Sequence, residues 1–430
     1  MVNDEERTVP EEVLLETPRP HPDSGSPPRL LAIRPFLWLV LGEGLANIGL
    51  WSFFVATEGE AAFRFNATPA QFGILISSYS VVFIATSPAF GLLADRWSPK
   101  RMLMLAHGSA IVFLFLALRA PSLPWLYVAT ALLGLAEAVV WPARGALVPL
   151  LVSRERLVQA NGMMGLAWQI PLVIGPALAA VVVGGYGSDA PYLVAMAAVG
   201  LALPFYAAIP DRRQASGGER DRMLADLSLG FREAWGTAVL RALVIQAMAA
   251  YLLLGMAITL ETLYVKDVLG QSQDFLGLVW SLTGAGAALG SAALAALRQG
   301  AGREHLLIAL GLLGGGIGYL LYVGTSVPLV SLVGGFLFGA GFTFVSSPGQ
   351  ALIQRVAANP GKVTSVYAML SEGGPLATSV LVAVAGGLIS VHPWLIGSAA
   401  LFTAVGLASL PGARRRGRVS TAPAPQRAER

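Results

Sequence analysis

Cysteine is absent from the 430 residues, which removes disulfides, thiolate metal sites and cysteine nucleophiles. Histidine is scarce. His21, His107, His305 and His392 are scattered, and none is paired at ligand spacing. No metal or other cofactor is expected, and neither is hydrolytic chemistry built on a serine–histidine pair. Charge is the third shortage: 13% of residues are Asp, Glu, Lys or Arg, where a soluble domain carries roughly a quarter. A soluble chain this long would lack the charge to cover its surface. With 55% apolar residues and a mean hydropathy of +0.65, lipid is its natural solvent. A phosphate-binding loop of the G-x-x-x-x-G-K-[ST] type is also missing, and Gly311-Leu-Leu-Gly314-Gly315-Gly316 reads as a helix-packing run. Nothing here supports ATP-driven work or an enzyme.

What the chain has is apolar length. A spanning helix needs roughly 20 mainly apolar residues, and twelve runs qualify: 36–57, 70–92, 102–120, 124–148, 160–184, 190–209, 242–265, 275–297, 305–323, 327–350, 363–390 and 393–410. The last two are divided by the turn at His392-Pro393. The expected architecture is an all-α membrane protein of twelve transmembrane helices in two six-helix bundles. Its segments are a disordered tail (1–30), a first bundle (31–209), a linker with an amphipathic helix from Arg222 to Trp235 (210–238), a second bundle (239–410) and a basic disordered tail (411–430). The first stretch lacks an apolar h-region and does not read as a signal peptide. With both termini in the cytoplasm, 26 of the 29 basic residues fall on the inner side, and Arg64, Arg119 and Lys266 fall outside. That tally accounts for the net charge of +4 without a nucleic-acid partner. The halves echo each other weakly: Glu58 and Phe72 recur as Glu261 and Phe275, both 203 residues on.

Three motifs narrow the class. The loop after the second run reads Gly91-Leu-Leu-Ala-Asp95-Arg96-Trp-Ser98-Pro99-Lys100-Arg101. It resembles the G-x-L-a-D-R-x-G-R-K/R signature of the major facilitator superfamily, with Ser98-Pro99 in place of Gly-Arg. The resemblance implies a conformational latch built from Gly91, Asp95, Arg96 and Arg101. In it Gly91 would let two helices approach, and Asp95 would accept from a helix N-terminus or pair with Arg96 or Arg101. The fourth run ends Trp141-Pro142-Ala-Arg144-Gly145-Ala-Leu-Val-Pro149, followed by Arg154-Glu155-Arg156-Leu-Val-Gln-Ala-Asn161. This segment resembles the drug:proton antiporter branch that includes enterobactin and macrolide exporters. The fifth run holds Pro171-Leu-Val-Ile-Gly175-Pro176-Ala-Leu-Ala179-Ala180, similar to that branch's g-x-x-x-G-P-x-x-G-G. Gly175-Pro176 marks a kink there, because proline removes a helix hydrogen bond. The resemblance implies a carrier of the bacterial inner membrane that exports a small amphipathic, drug- or siderophore-like molecule in exchange for protons. A lipid or lysophospholipid flippase on the same fold is the alternative. A monomer whose partners are substrate, protons and membrane lipid is expected.

Buried carboxylates are the proton-coupling candidates, because a charge at mid-bilayer is costly and usually faces a cavity. Glu43 shares a helix face with Asn47 and Trp51 at i+4 and i+8 and has no basic residue at helical spacing. Glu137 has Trp141 and Arg144 at i+4 and i+7, so Arg144 could hold it as a structural pair. Glu372 is the third candidate. Glu58, Glu60 and Glu261 lie near outer helix ends, where they could bind a cation, gate the mouth or be solvated rim residues. The substrate cavity draws on Asn47, Trp51, Trp141, Gln169, Gln246, Tyr251, Glu261 and Trp280, each of which could equally be a packing residue.

Overall fold

The computed structural model describes residues 30–94, 97–153, 156–211, 220–296, 304–388 and 390–420. All regular structure among them is helical. The first half contains α1 (Arg34–Gly59), α2 (Pro69–Ala94), α3 (Pro99–Leu118), α4 (Leu123–Leu151), α5 (Leu157–Tyr186) and α6 (Ala190–Ala208). A linker helix, α7 (Arg220–Gly236), leads to α8 (Ala238–Asp267), α9 (Gln273–Ala296), α10 (Glu304–Val323), α11 (Pro328–Val356), α12 (Pro360–Ala385) and α13 (Val391–Ser420). Setting α7 aside, twelve long helices form two groups of six. Helices are the necessary form, since lipid offers no partner to an unbonded backbone group. Prolines start many of them: α1, α3, α4, α6, α11 and α12 carry one in the first two positions, where the missing N–H costs nothing. Eleven described helices are long and apolar enough to span. In α12 the apolar stretch is confined to Gly373–Ala385, because Lys362, Ser365, Ser371 and Glu372 occupy its first half.

Residues 411–420, expected as a disordered tail, continue α13 to Ser420. Arginine and alanine favour helix, so the rod runs past the apolar segment. Residues 1–29 and 421–430 lie outside the described residues.

The buried core shows how the halves sit. One apolar cluster joins both at the end bearing the α1–α2 loop, with Phe53, Phe72 and Leu126 from the first half beside Leu260, Tyr264 and Leu395 from the second. Toward the opposite end the core divides. Phe36, Met102, Leu147 and Tyr206 cluster within the first half, and Leu243, Leu312, Leu352 and Tyr367 within the second. The two bundles therefore meet at one end and part at the other.

Lipid-embedded helices adhere through close packing rather than water exclusion, and glycine makes the closest approach possible. A Cβ on Gly286 of α9 would stand 2.0 Å from the Phe336 carbonyl oxygen, and one on Gly339 of α11 1.9 Å from that of Thr283. At Gly314 a Cβ would meet nothing within 4 Å. Gly286→Ala and Gly339→Ala should each cost about 1–3 kcal/mol through overpacking. Gly314→Ala should leave the melting temperature in detergent unchanged or raised, and a melt of the three variants tests the ranking.

The linker helix docks on the second half through Glu233. Its carboxylate accepts hydrogen bonds from the Ala358 and Asn359 backbone N–H groups and from Asn359 Nδ2 at 3.0 Å, at the start of α12. The Asn359 side-chain bond is the leading cause of a carboxyl held below its usual range, followed by the backbone donors. A depressed carboxyl contributes stability above its unfolded value of about 4.3 and loses it as pH falls through the folded value. Hydrogen exchange, corrected for intrinsic rates, should thus show α7 loosening below about pH 4. Glu233→Gln should loosen it at neutral pH.

Candidate functional site

One group of buried polar side chains in the first half gathers around Glu43. Glu43 on α1 is 1% exposed, and its Oε2 lies 3.2 Å from Arg144 Nη1 on α4. Tyr206 of α6 donates from its hydroxyl to Glu43 Oε1 at 3.2 Å. The Tyr206 ring stacks on buried His107 of α3 at 4.7 Å between centroids. Gly42 makes room for this arrangement, since a Cβ there would sit 3.0 Å from the Tyr206 ring. The absence of a basic residue from Glu43's own helix face is therefore no guide to its surroundings: its cation comes from α4, 101 residues away. Arg144, which the spacing on α4 also offers to Glu137, forms an ion pair with Glu43. The reach of the guanidinium across to α1 is what the i+7 spacing on α4 does not reveal. Glu137, partly exposed on the same helix, lies within electrostatic reach of both groups.

Arg144 also faces an aromatic wall. Its guanidinium lies 4.4 Å from the Trp141 ring centroid, a cation–π contact. Trp141 touches Trp168 at 5.8 Å and Phe83 at 6.4 Å. Trp168 meets Trp51, which meets Phe54, then Tyr79, then Phe83 again. Six rings from α1, α2, α4 and α5 thus form a closed circuit. Trp280 of α9 joins it edge-on through Trp51 at 6.3 Å, bringing in the second half. Trp141 is 39% exposed, and Gln169 on α5 is exposed, toward the end where the bundles part.

Other expected cavity residues are occupied elsewhere. Asn47 is buried and donates to the Glu43 carbonyl at 2.8 Å and the Ala167 carbonyl at 3.4 Å. It ties α1 to α5. Gln246 donates to Ser409 of α13 at 2.8 Å, an interhelical bond on a different face of α8. Tyr251 packs edge-on against Phe342 and Tyr367 within the second half. Gly175 supports close helix contact, since a Cβ would meet the Trp51 side chain at 2.7 Å. Pro171 and Pro176 both sit inside the continuous α5. The side chain of Glu372 lies outside the described residues.

The expected latch is described only in part. Asp95 and Arg96 lie outside the described residues. Arg101 pairs with Asp211, after α6, at 2.8 Å, and Ser98, the N-cap of α3, also bonds Asp211. A Cβ on Gly91 would meet nothing within 4 Å, so no close helix approach rests on this glycine here. Glu58 and Glu60 are not solvated rim residues but 1% and 4% exposed. The reason is that α1 continues into a π turn, Glu60–Arg64, whose face packs on α6 and α8. Thr262 donates to Glu58, Tyr192 donates to Glu60 at 2.7 Å, and Arg64 pairs with Glu60. Glu261, half-buried, accepts from the Tyr322 hydroxyl at 3.2 Å.

The sequence reading missed His107, Tyr206, Trp168, Phe54, Tyr79 and Phe83. Signals existed: an ionisable His107 inside an apolar run marks a site by default, and Tyr79 and Phe83 stand at i+4.

Two groups of six long helices, with eleven of the described helices long and apolar enough to span, define a multi-pass membrane protein. Residues 39–379 match the family model described as Major Facilitator Superfamily, and the chain belongs to that superfamily. It is 23% identical to the tetracycline resistance protein, class C, of Escherichia coli, over 81% of this chain and 88% of that protein. It is 27% identical to a Na(+), Li(+), K(+)/H(+) antiporter of Planococcus maritimus, over 57% of this chain and 61% of that one. Among solved structures, a bacterial homologue of the human lysosomal transporter Spinster, in an inward-facing and unoccupied conformation, superposes with a TM-score of 0.69. That match is at 12% identity and covers 91% of this chain and 99% of the other. The nucleoside transporter NupG gives 0.70 at 14% identity, over 87% and 98%. These structural likenesses speak to the fold.

Removing one member of a buried pair strands the other charge, at about 3–5 kcal/mol, while replacing both by apolar residues is often close to neutral. Arg144→Met alone should therefore destabilise the protein markedly. The double variant Glu43→Leu/Arg144→Met should recover most of that loss, as read by melting in detergent.

Proposed function

We propose that this protein exports a small, largely aromatic amphipathic molecule across the bacterial inner membrane by alternating access. Inward proton movement drives it, and Glu43 is the proton-carrying group. The observation that carries this reading is that Arg144 touches Glu43 and Trp141 at once. One guanidinium thus joins a buried carboxylate to the aromatic wall that a substrate would lie against.

With Glu43 ionised, Arg144 is held by its carboxylate and by the Trp141 face. A proton on Glu43 cancels the attraction and frees Arg144 to turn toward Glu137, the next acid on its own helix. That motion alters the wall at Trp141 and Trp168. The proton does work only if it binds one state more tightly than the other, and the ion pair supplies the difference, since it exists in one arrangement and not in the other. Six rings offer stacking surface to a planar solute. The distribution of Lys and Arg supports placing both termini in the cytoplasm. In that orientation the bundles are joined on the outer side and parted on the inner. A monomer is sufficient, since the aromatic wall and its charges come from a single chain.

Reconstitution in proteoliposomes tests the proposal, with ethidium as a planar aromatic cation, tetracycline, a catecholate siderophore and a fluorescent lysophospholipid as solutes. An imposed pH gradient should drive one of the first three. Glu43→Gln should cut that flux by about tenfold or more, the loss expected when about 1.4 kcal/mol of differential proton binding disappears. Unchanged gradient-driven flux in Glu43→Gln would remove Glu43 from the coupling role. Gradient-independent movement of the lysophospholipid alone would replace export by lipid flipping.

A further inference from the structure

The aromatic circuit holds one polar atom that the coupling scheme does not use. The indole N–H of Trp51 is buried and, among the described residues, has no hydrogen-bond partner. Buried tryptophans usually set that N–H against an acceptor, and a bare donor costs free energy. Such atoms are few in folded proteins.

Local packing explains why Trp51 stays unpaired. Two α5 carbonyls facing α1 here are already engaged: Asn47 donates to that of Ala167 at 3.4 Å and Ser52 to that of Gly175 at 3.2 Å. Trp51 has no room to shift toward another, because α5 presses on its root. A Cβ on Gly175 would stand 2.7 Å from Trp51 Cβ. What surrounds the indole is aromatic. Trp168 stands edge-on at 5.9 Å and 69°, Trp280 edge-on at 6.3 Å and 89°, and Phe54 tilted at 5.9 Å. Aromatic rings accept an N–H only weakly. The second half supplies Trp280, and α9 is held against α5 where a Cβ on Gly277 would lie 2.6 Å from the Pro176 carbonyl oxygen. Trp280 Nε1 is buried without a hydrogen bond of good geometry too, but Glu261 of α8 is an acceptor within its reach. Trp51 has no such neighbour. Glu43, eight residues back on its own face, is held by Arg144 and Tyr206.

We propose that Trp51 Nε1 reads the polar edge of the substrate, and that the transported molecule carries a carbonyl or quinone-type oxygen at the rim of its aromatic plane. This rests on the aromatic wall being the surface that binds substrate. The rings select for a flat apolar body. The N–H then selects, among flat molecules, one with an acceptor. An entering ring system replaces a ring that stands edge-on to Trp51, and Trp280 is the one that the other half can withdraw. The substrate oxygen accepts the hydrogen bond that the protein leaves unmade. A solute offering only hydrocarbon or donors leaves the N–H bare and binds less tightly. Glu43 and its proton play no part in this choice.

Fluorenone and fluorene, the same fused rings with and without a carbonyl, test the reader. Each competes with ethidium for the protein in nanodiscs, with its inhibition constant corrected for partition into protein-free nanodiscs. The unmodified protein should prefer fluorenone by about fivefold or more. In Trp51→Phe both solutes should bind more weakly, since a smaller ring remains, and the preference should shrink to within about twofold. The infrared carbonyl stretch of bound fluorenone should lie below its value in hydrocarbon solvent for the unmodified protein, and return to that value in Trp51→Phe. A purely structural Trp51 would lower both affinities and keep their ratio, which would overturn the proposal. So would equal binding of the two solutes, or a hydrocarbon-like carbonyl stretch, in the unmodified protein. Glu43→Gln should keep the ratio whatever it does to flux, so loss of coupling and loss of selectivity are separate results. Failure of ethidium and both solutes to bind the unmodified protein would remove the wall as a substrate surface, and the reader with it.

Discussion

Lipid gives packed helices no hydrophobic reward for touching, because the acyl chains are as apolar as leucine. Adhesion in this protein accordingly comes from two sources: backbone approach over small residues and polar groups enclosed between helices. The first builds each bundle, as where Gly286 and Gly339 interlock α9 with α11. The second is rationed to a few places, since 13% charge leaves few side chains to spend. Two of those places are the Glu43–Arg144 pair and the seam between the halves.

The two acids of α1 illustrate opposite solutions to one cost. Glu43 is buried with a guanidinium and a tyrosine hydroxyl, so its charge is compensated. Glu58 is buried with a threonine hydroxyl on one oxygen and, among the described residues, no hydrogen-bond partner on the other. Glu261, which echoes Glu58 at a spacing of 203, sits one residue from the Thr262 that bonds Glu58 across the seam.

Elements dictated by local pattern were readable in the sequence. Twelve apolar runs became twelve long helices, and the linker helix, expected from Arg222 to Trp235, forms over Arg220–Gly236. Partnerships were not readable, because they depend on which helices become neighbours. The Glu43–Arg144 pair joins residues 101 apart, and nothing on either helix announces the other. Gln246 has the look of a cavity residue until α13 arrives beside it with Ser409. Glu58 and Glu60 have the look of rim residues because a sequence of helix ends does not show that a π turn will carry one of them under α6. The aromatic circuit was half legible. Trp51 and Trp141 stood out by their spacing from acids, whereas Trp168, Tyr79 and Phe83 belong to it only through the packing of α2 and α5.

Both acids ride on one unbroken helix, α1, which runs from Arg34 to Gly59. At 1.5 Å per residue the 15 positions between them span about 22 Å, enough to place one beside the aromatic wall and the other in the seam. A single rigid element that carries both cannot move at one end without moving at the other, and coupling through it is reciprocal.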